Sequence, residues 1–517
     1  MNQARITYHI ARADFLERVR RYSFLITLGS VVFVGYQVAI GNLNMQAGDY
    51  RGEYNSAWVG SMMAIIASFF LGWFGFYLVK GSIARDRQTS VGQIMAATSL
   101  TRPLYTFGKW LSNLAVLMAM VVVLAVVGIG LQLLAGESYR IDLVAFLPPL
   151  LFIALPMLAL VAAIAVLFES VRFLQGGFGN ILYFFMFAFI FPLADWLSNR
   201  NPALEPLGFA LLQQSMNTAA KAEFPESTGG FVLGSTGIPI KGIFHWSGVD
   251  WTTHIVLNRL LFLAMALVLA LVAAFLFDRF DTSLGKPDRK KRVSQLAQPE
   301  AAAAKRAAPA IRLTPLNATP NGFAFARIFF LELKLLLKGV RWWWFVGAGG
   351  LFIASLTNTP ENVRAFVLPI TWLWPTLIWS SLGNRELRHN VSQMVFSSAF
   401  PLMRQLPAAW LAGFTVAVVT GSGAAIRFLG AGDSASLLVW VSAALFIPTL
   451  ALALGVLSNG RKLFEVLHVS LWYLALNKVA AVDYFGANSS GNVGFFMPLT
   501  LILLVIAFIG RARQLQN

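Results

Sequence analysis

Two charged dipeptides, Arg85-Asp86 and Arg385-Glu386, lie 300 positions apart (385 − 85), each between long apolar runs. The first opens a basic segment that continues to Val91, Gln93, Ile94 and Met95 and returns through Gly108-Lys109-Trp110. In the second, Val391 matches Val91, Gln393 matches Gln93, Met394 stands opposite Ile94, and Trp410 opposite Trp110. Val91, Ile94 and Met95 line one side of a short helix flanked by charges, and Val391, Met394 and Val395 do the same in the other copy. An amphipathic helix between two spans either lies on lipid or fits a groove on a soluble partner. The chemistry on offer is therefore recognition. The candidate partner-docking residues are Arg85, Asp86, Val91, Gln93 and Ile94 with Arg385, Glu386, Val391, Gln393 and Met394. The plainer alternative is a polar turn at each place.

Other reactive groups are sparse. A phosphate-cradling loop needs Gly-x-x-x-x-Gly-Lys-Ser/Thr, but Gly108-Lys109 is followed by Trp and Gly285-Lys286 by Pro. The chain has no cysteine, which removes disulfides, thiolate metal sites and cysteine nucleophiles. His245, Asp250 and His254 share a loop without a third strong ligand beside them. No nucleophile–base pair or paired catalytic carboxylates stand out. The expectation is a chain that is not an enzyme, with no metal and no cofactor of its own. Asp195, Arg427 and Lys478 map near the outer ends of apolar runs, where snorkelling is cheap. His468 lies nearer mid-span, as a packing residue or a weak substrate-pathway candidate.

The elements that hold these residues follow from composition. Hydrophobic residues make up 57% of the chain and charged ones only 12%, half the charge of a soluble domain at about 25%. A formal charge of +17 sits in loops between apolar runs, the positive-inside pattern, which suits an anionic leaflet better than nucleic acid. Spans of about 20 apolar residues are expected at 24–41, 57–79, 111–134, 143–167, 178–196 and 257–277, then at 342–357, 366–382, 408–430, 436–457, 463–481 and 492–510. The expected fold is all-α, a polytopic membrane protein of about twelve helices in two pseudo-equivalent six-helix halves. The first half is 1–278, with a docking segment at 81–110 and an outer loop at 197–255. A basic flexible cytoplasmic linker spans 279–320, and the second half is 321–517, with its docking segment at 383–407. Residues 5–22 are expected to lie on the membrane as an amphipathic helix, with Tyr8, Ala11, Phe15, Val19 and Tyr22 as an apolar stripe and Asp14, Glu17 and Arg21 opposite, Glu17 and Arg21 spaced to pair. Pro148, Pro149 and Pro156 predict a kink in the fourth span. Arg/Lys asymmetry puts both termini and both docking segments in the cytoplasm of a cell (inner) membrane protein.

Residues 81–89 with Gly108-Lys109-Trp110 resemble the cytoplasmic segment of type-two ABC exporter permeases. The resemblance covers nearly the whole chain in layout: an amphipathic leading helix, six spans per half, and a coupling helix between the second and third spans. Its second copy departs, with Glu386 for the Asp, Leu387-Arg388-His389 for Arg87-Gln88-Thr89, and no Gly-Lys before Trp410. The resemblance implies an ATP-driven exporter whose ATP and Mg are bound by separate ABC ATPase subunits, two copies for two halves, with membrane lipids as the other partner.

The expected path runs between the halves. Apolar and aromatic linings there, among them Phe70, Phe74 and Trp374 with His468, suit hydrophobic or amphipathic cargo; the same aromatics would serve helix packing. The alternatives are a motor-independent secondary carrier or channel, whose mid-span carboxylates or broken paired helices are not evident, and a membrane-embedded transferase on lipid-linked substrates.

Overall fold

The structure is a computed structural model. It describes residues 3–20, 22–39, 41–89, 91–98, 100–198, 200–227, 229–234, 240–278, 325–389, 391–398, 400–477, 479–487 and 491–516. The expected linker at 279–320 lies outside the described residues, as does Lys478. The chain divides into two compact units, Met1–Phe280 and Asp281–Asn517. It is 78% helical.

Eight helices among the described residues are long and apolar enough to cross a membrane. Five belong to the first unit: Ser56–Arg87, Arg102–Leu134, Leu143–Ser170, Gly177–Ser198 and Thr253–Leu276. Three belong to the second: Pro401–Gly430, Ser434–Ser458 and Val493–Gln516. The other four expected spans are shorter or broken. Tyr22–Ala39 has 18 residues, of which Thr27–Val38 is the apolar part. Trp342–Thr357 has 16 and Lys462–Leu476 has 15. The stretch expected at 366–382 divides into Leu368–Leu373 and Thr376–Trp379 at Pro375, whose ring cannot continue a helix hydrogen-bond ladder.

Proline acts differently in the fourth expected span. Leu143–Pro149 passes into a π-helical turn, Leu150–Ala154, and on into Leu155–Ser170. Prolines without N–H groups leave ladder carbonyls unmatched, and the wider turn absorbs the shift. A second π-turn, Ala67–Leu71, interrupts Ser56–Val79 and touches the first. The preceding helices, Ser56–Ile66 and Leu143–Pro149, approach closely at a glycine: a Cβ on Gly60 would lie 2.4 Å from Phe146 O.

The loops of the first unit hold something that an all-α expectation omits. Strands β1 (Asn44–Ala47) and β2 (Tyr50–Gly52) pair antiparallel, with Ala47 opposite Tyr50. β3 (Val232–Gly234) adds antiparallel to β1, and β4 (Gly242–Phe244) adds parallel to β2. The order is β3-β1-β2-β4. Gly48, at φ 62°, allows the tight return between β1 and β2. Helix Phe209–Glu223 packs on this sheet, and Tyr50 stacks on Phe224 at 4.5 Å. Two loops thus form one folded cap, tied to the long helices where Trp58 Nε1 donates to Met45 O at 3.3 Å and Arg51 meets Glu137 at 2.5 Å.

Candidate functional site

Each candidate docking segment folds as two short helices. In the first unit these are Ser82–Gln88 and Val91–Ala96; in the second, Arg385–Arg388 and Ser392–Phe396. The return legs belong to the spans: 102–110 forms the opening turns of Arg102–Ala135, and 401–407 those of Pro401–Gly430. Pro103 and Pro401 sit where a missing N–H leaves no gap in the ladder.

The docking candidates separate into two sets by exposure. Ile94 is 69% and Met394 72% exposed; Val91 and both Gln93 and Gln393 are also exposed, whereas Val391 is half-buried. Asp86 and Glu386 are buried, and Arg85 and Arg385 nearly so. The charged dipeptides therefore hold the segments in place while the apolar tips face outward.

In the first unit the hold is a buried ion network. Lys109, on Arg102–Ala135, is fully buried with Nζ 2.6 Å from Asp14 Oδ2 and 2.6 Å from Asp86 Oδ2. Tyr105, one turn earlier, donates its hydroxyl to Asp86 at 2.7 Å. Arg85 pairs with Asp14 at 3.0 Å and with Glu17. Arg18 donates to Asn113 at 2.5 Å. Charge-assisted bonds of this kind are about twice as strong as neutral ones, and burial keeps solvent from screening them.

This geometry corrects the expectation for residues 5–22. On helix Gln3–Val19, Asp14 turns into the protein at 8% exposed, while Glu17, Tyr8 and Leu16 are exposed. Glu17 takes Arg85 as a partner across the fold, where the sequence offered Arg21. Asp14 and Lys109 were missed as site residues; an acid on the helix expected at 5–22 and a Gly-Lys pair just ahead of an apolar run were the available signals.

A third support comes from Glu169, at the end of Leu155–Ser170. Its carboxylate accepts the backbone N–H groups of Gly81, Ser82, Ile83 and Ala84, the last three at 3.1, 2.5 and 3.2 Å. These are the unsatisfied donors that open helix Ser82–Gln88, and a carboxylate suits both their hydrogen bonds and the helix dipole.

The second unit makes an equivalent hold from different residues. Glu332, on the amphipathic helix Phe325–Leu337, meets Arg385 at 3.3 Å and accepts from Gln405 at 3.2 Å. Gln405 also donates to Glu386 at 2.5 Å. Burial is the main cause that raises the Glu332 carboxyl above its ordinary range, against the pull of Arg385. The cation on Glu386 is Arg511, from the last helix, at 3.3 Å.

The pathway candidates fall elsewhere. Phe70, within the π-turn Ala67–Leu71, and Phe74 are half-buried and tilt together at 4.9 Å. Trp374 donates to Trp344 O at 3.1 Å, and Trp344 donates back to Trp374 O at 3.3 Å. His468 is fully buried: its ring meets Thr376 Oγ1 at 3.2 Å and the Tyr484 hydroxyl at 3.3 Å, and stacks on Phe464 at 5.1 Å. That enclosure gives His468 a packing role. His245 rests on Glu53 at 2.7 Å, and no group of three or more potential metal ligands converges among the described residues. No family profile, curated protein or solved structure matches this chain.

Proposed function

We propose that this chain is the permease subunit of an ATP-driven ABC exporter, energised by two copies of a separate ATPase that dock on the segments around Ile94 and Met394. One observation carries the reading: in each unit an exposed apolar tip rides on short helices whose charged residues are locked to the spans behind them. Such an element transmits force, because a push on the tip meets buried ion pairs rather than a yielding loop. ATP and Mg belong to the partner in this reading, since the chain has no phosphate-cradling sequence.

The proposed layout is twelve spans as six plus six, counting the eight long helices together with Tyr22–Ala39, Trp342–Thr357, the broken stretch 360–379 and Lys462–Leu476. Positive-inside charge puts both termini and both docking segments in the cytoplasm, and the sheet cap outside, in a cell (inner) membrane. The cargo is hydrophobic or amphipathic, a reading supported by the aromatic pair Phe70 and Phe74. A motor-independent carrier would use free mid-span carboxylates, and the carboxylates of these networks are held by cations, an amide or backbone N–H groups.

The test is copurification of ATP hydrolysis with the tagged chain from its native membrane. Ile94→Asp and Met394→Asp, both at exposed positions and so compatible with folding, are expected to cut the copurifying activity about tenfold or more when combined. Undiminished hydrolysis from the double variant would overturn the reading.

A further inference from the structure

The two docking segments are not held by matching residues. Position 409, which corresponds to Lys109 at the 300-residue spacing, is an alanine, 3% exposed. Gln405 does what Tyr105 does, donating to the acid of the docking dipeptide. The missing cation arrives from another helix. Arg511, 1% exposed near the end of Val493–Gln516, places Nη2 3.3 Å from Glu386 Oε2 and 3.4 Å from Gly383 O. Its guanidinium also lies 4.9 Å from the centre of the Phe396 ring, at the end of the second short docking helix. Arg511 thus touches the segment before, within and after the dipeptide. Among the described residues, the last helix of the first unit, Thr253–Leu276, carries Arg259 as its single Lys or Arg, near its start.

We propose that Arg511 is the positioning residue of the second docking segment, supplying the cation that Lys109 supplies in the first, so that this segment is coupled by charge to the last helix of its unit in addition to its Gln405 hydrogen bond with the helix that follows it. The functional meaning rests on the docking reading above; the geometry belongs to the chain alone. From Arg511 the connection continues one turn on, where Gln514 donates to Val456 O at 2.8 Å and to Asn459 Oδ1 at 2.7 Å. Motion of the second segment is therefore delivered to the pair Ser434–Ser458 and Val493–Gln516, which pack together. In the first unit, Lys109 delivers it to Arg102–Ala135 and to helix Gln3–Val19. A docked pair of identical motors would push on two different sets of spans.

The chain has no cysteine, so single reporters can be placed cleanly. Ser82→Cys and Ser381→Cys each mark a buried serine beside one docking segment. Maleimide labelling is followed on the purified full chain without any ATPase, so failure of the docking reading leaves the outcome untouched. Arg511→Gln is expected to raise labelling at position 381 about tenfold and to leave position 82 unchanged, because opening of a segment follows the loss of its buried partner. Lys109→Gln is expected to do the reverse. Adding Arg511→Gln to Glu386→Gln should give no further increase, since both remove one pair. Should Arg511→Gln not accumulate, Arg511→Lys, which keeps the charge and loses the two-pronged reach, should raise labelling at 381 about two- to threefold. Unchanged labelling at 381, an equal rise at 82, or full additivity with Glu386→Gln would each overturn the proposal.

Discussion

Lys109 Nζ lies 2.6 Å from Asp86 Oδ2, with the lysine fully buried and the aspartate 4% exposed. The same nitrogen is 2.6 Å from Asp14, so one cation serves two buried anions. Removing it leaves both carboxylates without their closest charge. Lys109→Met is expected to destabilise the first unit by about 3–5 kcal/mol, the usual consequence of breaking a buried pair by one partner. Lys109→Met with Asp86→Asn removes an orphaned charge and should recover part of that loss. Thermal unfolding of the purified chain checks it; a double variant less stable than Lys109→Met would count against the network.

Gly60 and Gly130 make opposite predictions although both lie inside apolar helices. A Cβ at 60 would meet Phe146 O at 2.4 Å, a backbone atom that cannot step aside. Gly60→Ala should therefore force Ser56–Ile66 away from Leu143–Pro149, at a loss of about 1–3 kcal/mol. A Cβ at 130 would meet nothing within 4 Å. Gly130→Ala should be neutral or stabilise by up to about 1 kcal/mol through helix propensity alone. Equal effects of the two changes on melting temperature would contradict the packing described.

Asp433 opens helix Ser434–Ser458 and accepts from Ser436 Oγ at 2.6 Å and Ser436 N at 3.0 Å, with Arg364 at 2.6 Å. The Ser436 bonds come first, and Arg364 adds to them, in holding its carboxyl below the usual 3.8. Because the folded value is the lower one, the stabilisation is complete above the ordinary Asp value and is lost as pH falls through the folded value. Asp433→Ala should cost about 1 kcal/mol at neutral pH as a lost helix cap. The gap between variant and parent should close as the pH drops below 3.8. Hydrogen exchange of the first turn of this helix reads the effect, and a gap that widens in acid would refute the assignment.

Much of the membrane architecture was legible. Runs such as 57–79, 143–167 and 436–457 stand within a few residues of Ser56–Val79, Leu143–Ser170 and Ser434–Ser458, because a bilayer-length apolar helix is written in consecutive residues. The short runs fold differently. Pro375 divides one stretch, and Lys462–Leu476 ends before the expected 481. Composition reads apolar across such places, while backbone geometry decides whether a helix continues.

The candidate docking residues show the same divide more sharply. The sequence placed Arg85-Asp86 and Arg385-Glu386 between spans and marked Ile94 and Met394 as apolar within charged surroundings, since spacing and residue type are local properties. Only tertiary structure decided which of them face outward. Asp14 reaches Lys109 across 95 positions and Glu386 reaches Arg511 across 125, while β1 finds β3 almost two hundred residues away. No short-range pattern encodes such pairs. They form because a charge or a strand edge withdrawn from water must find a partner wherever the packed helices bring one.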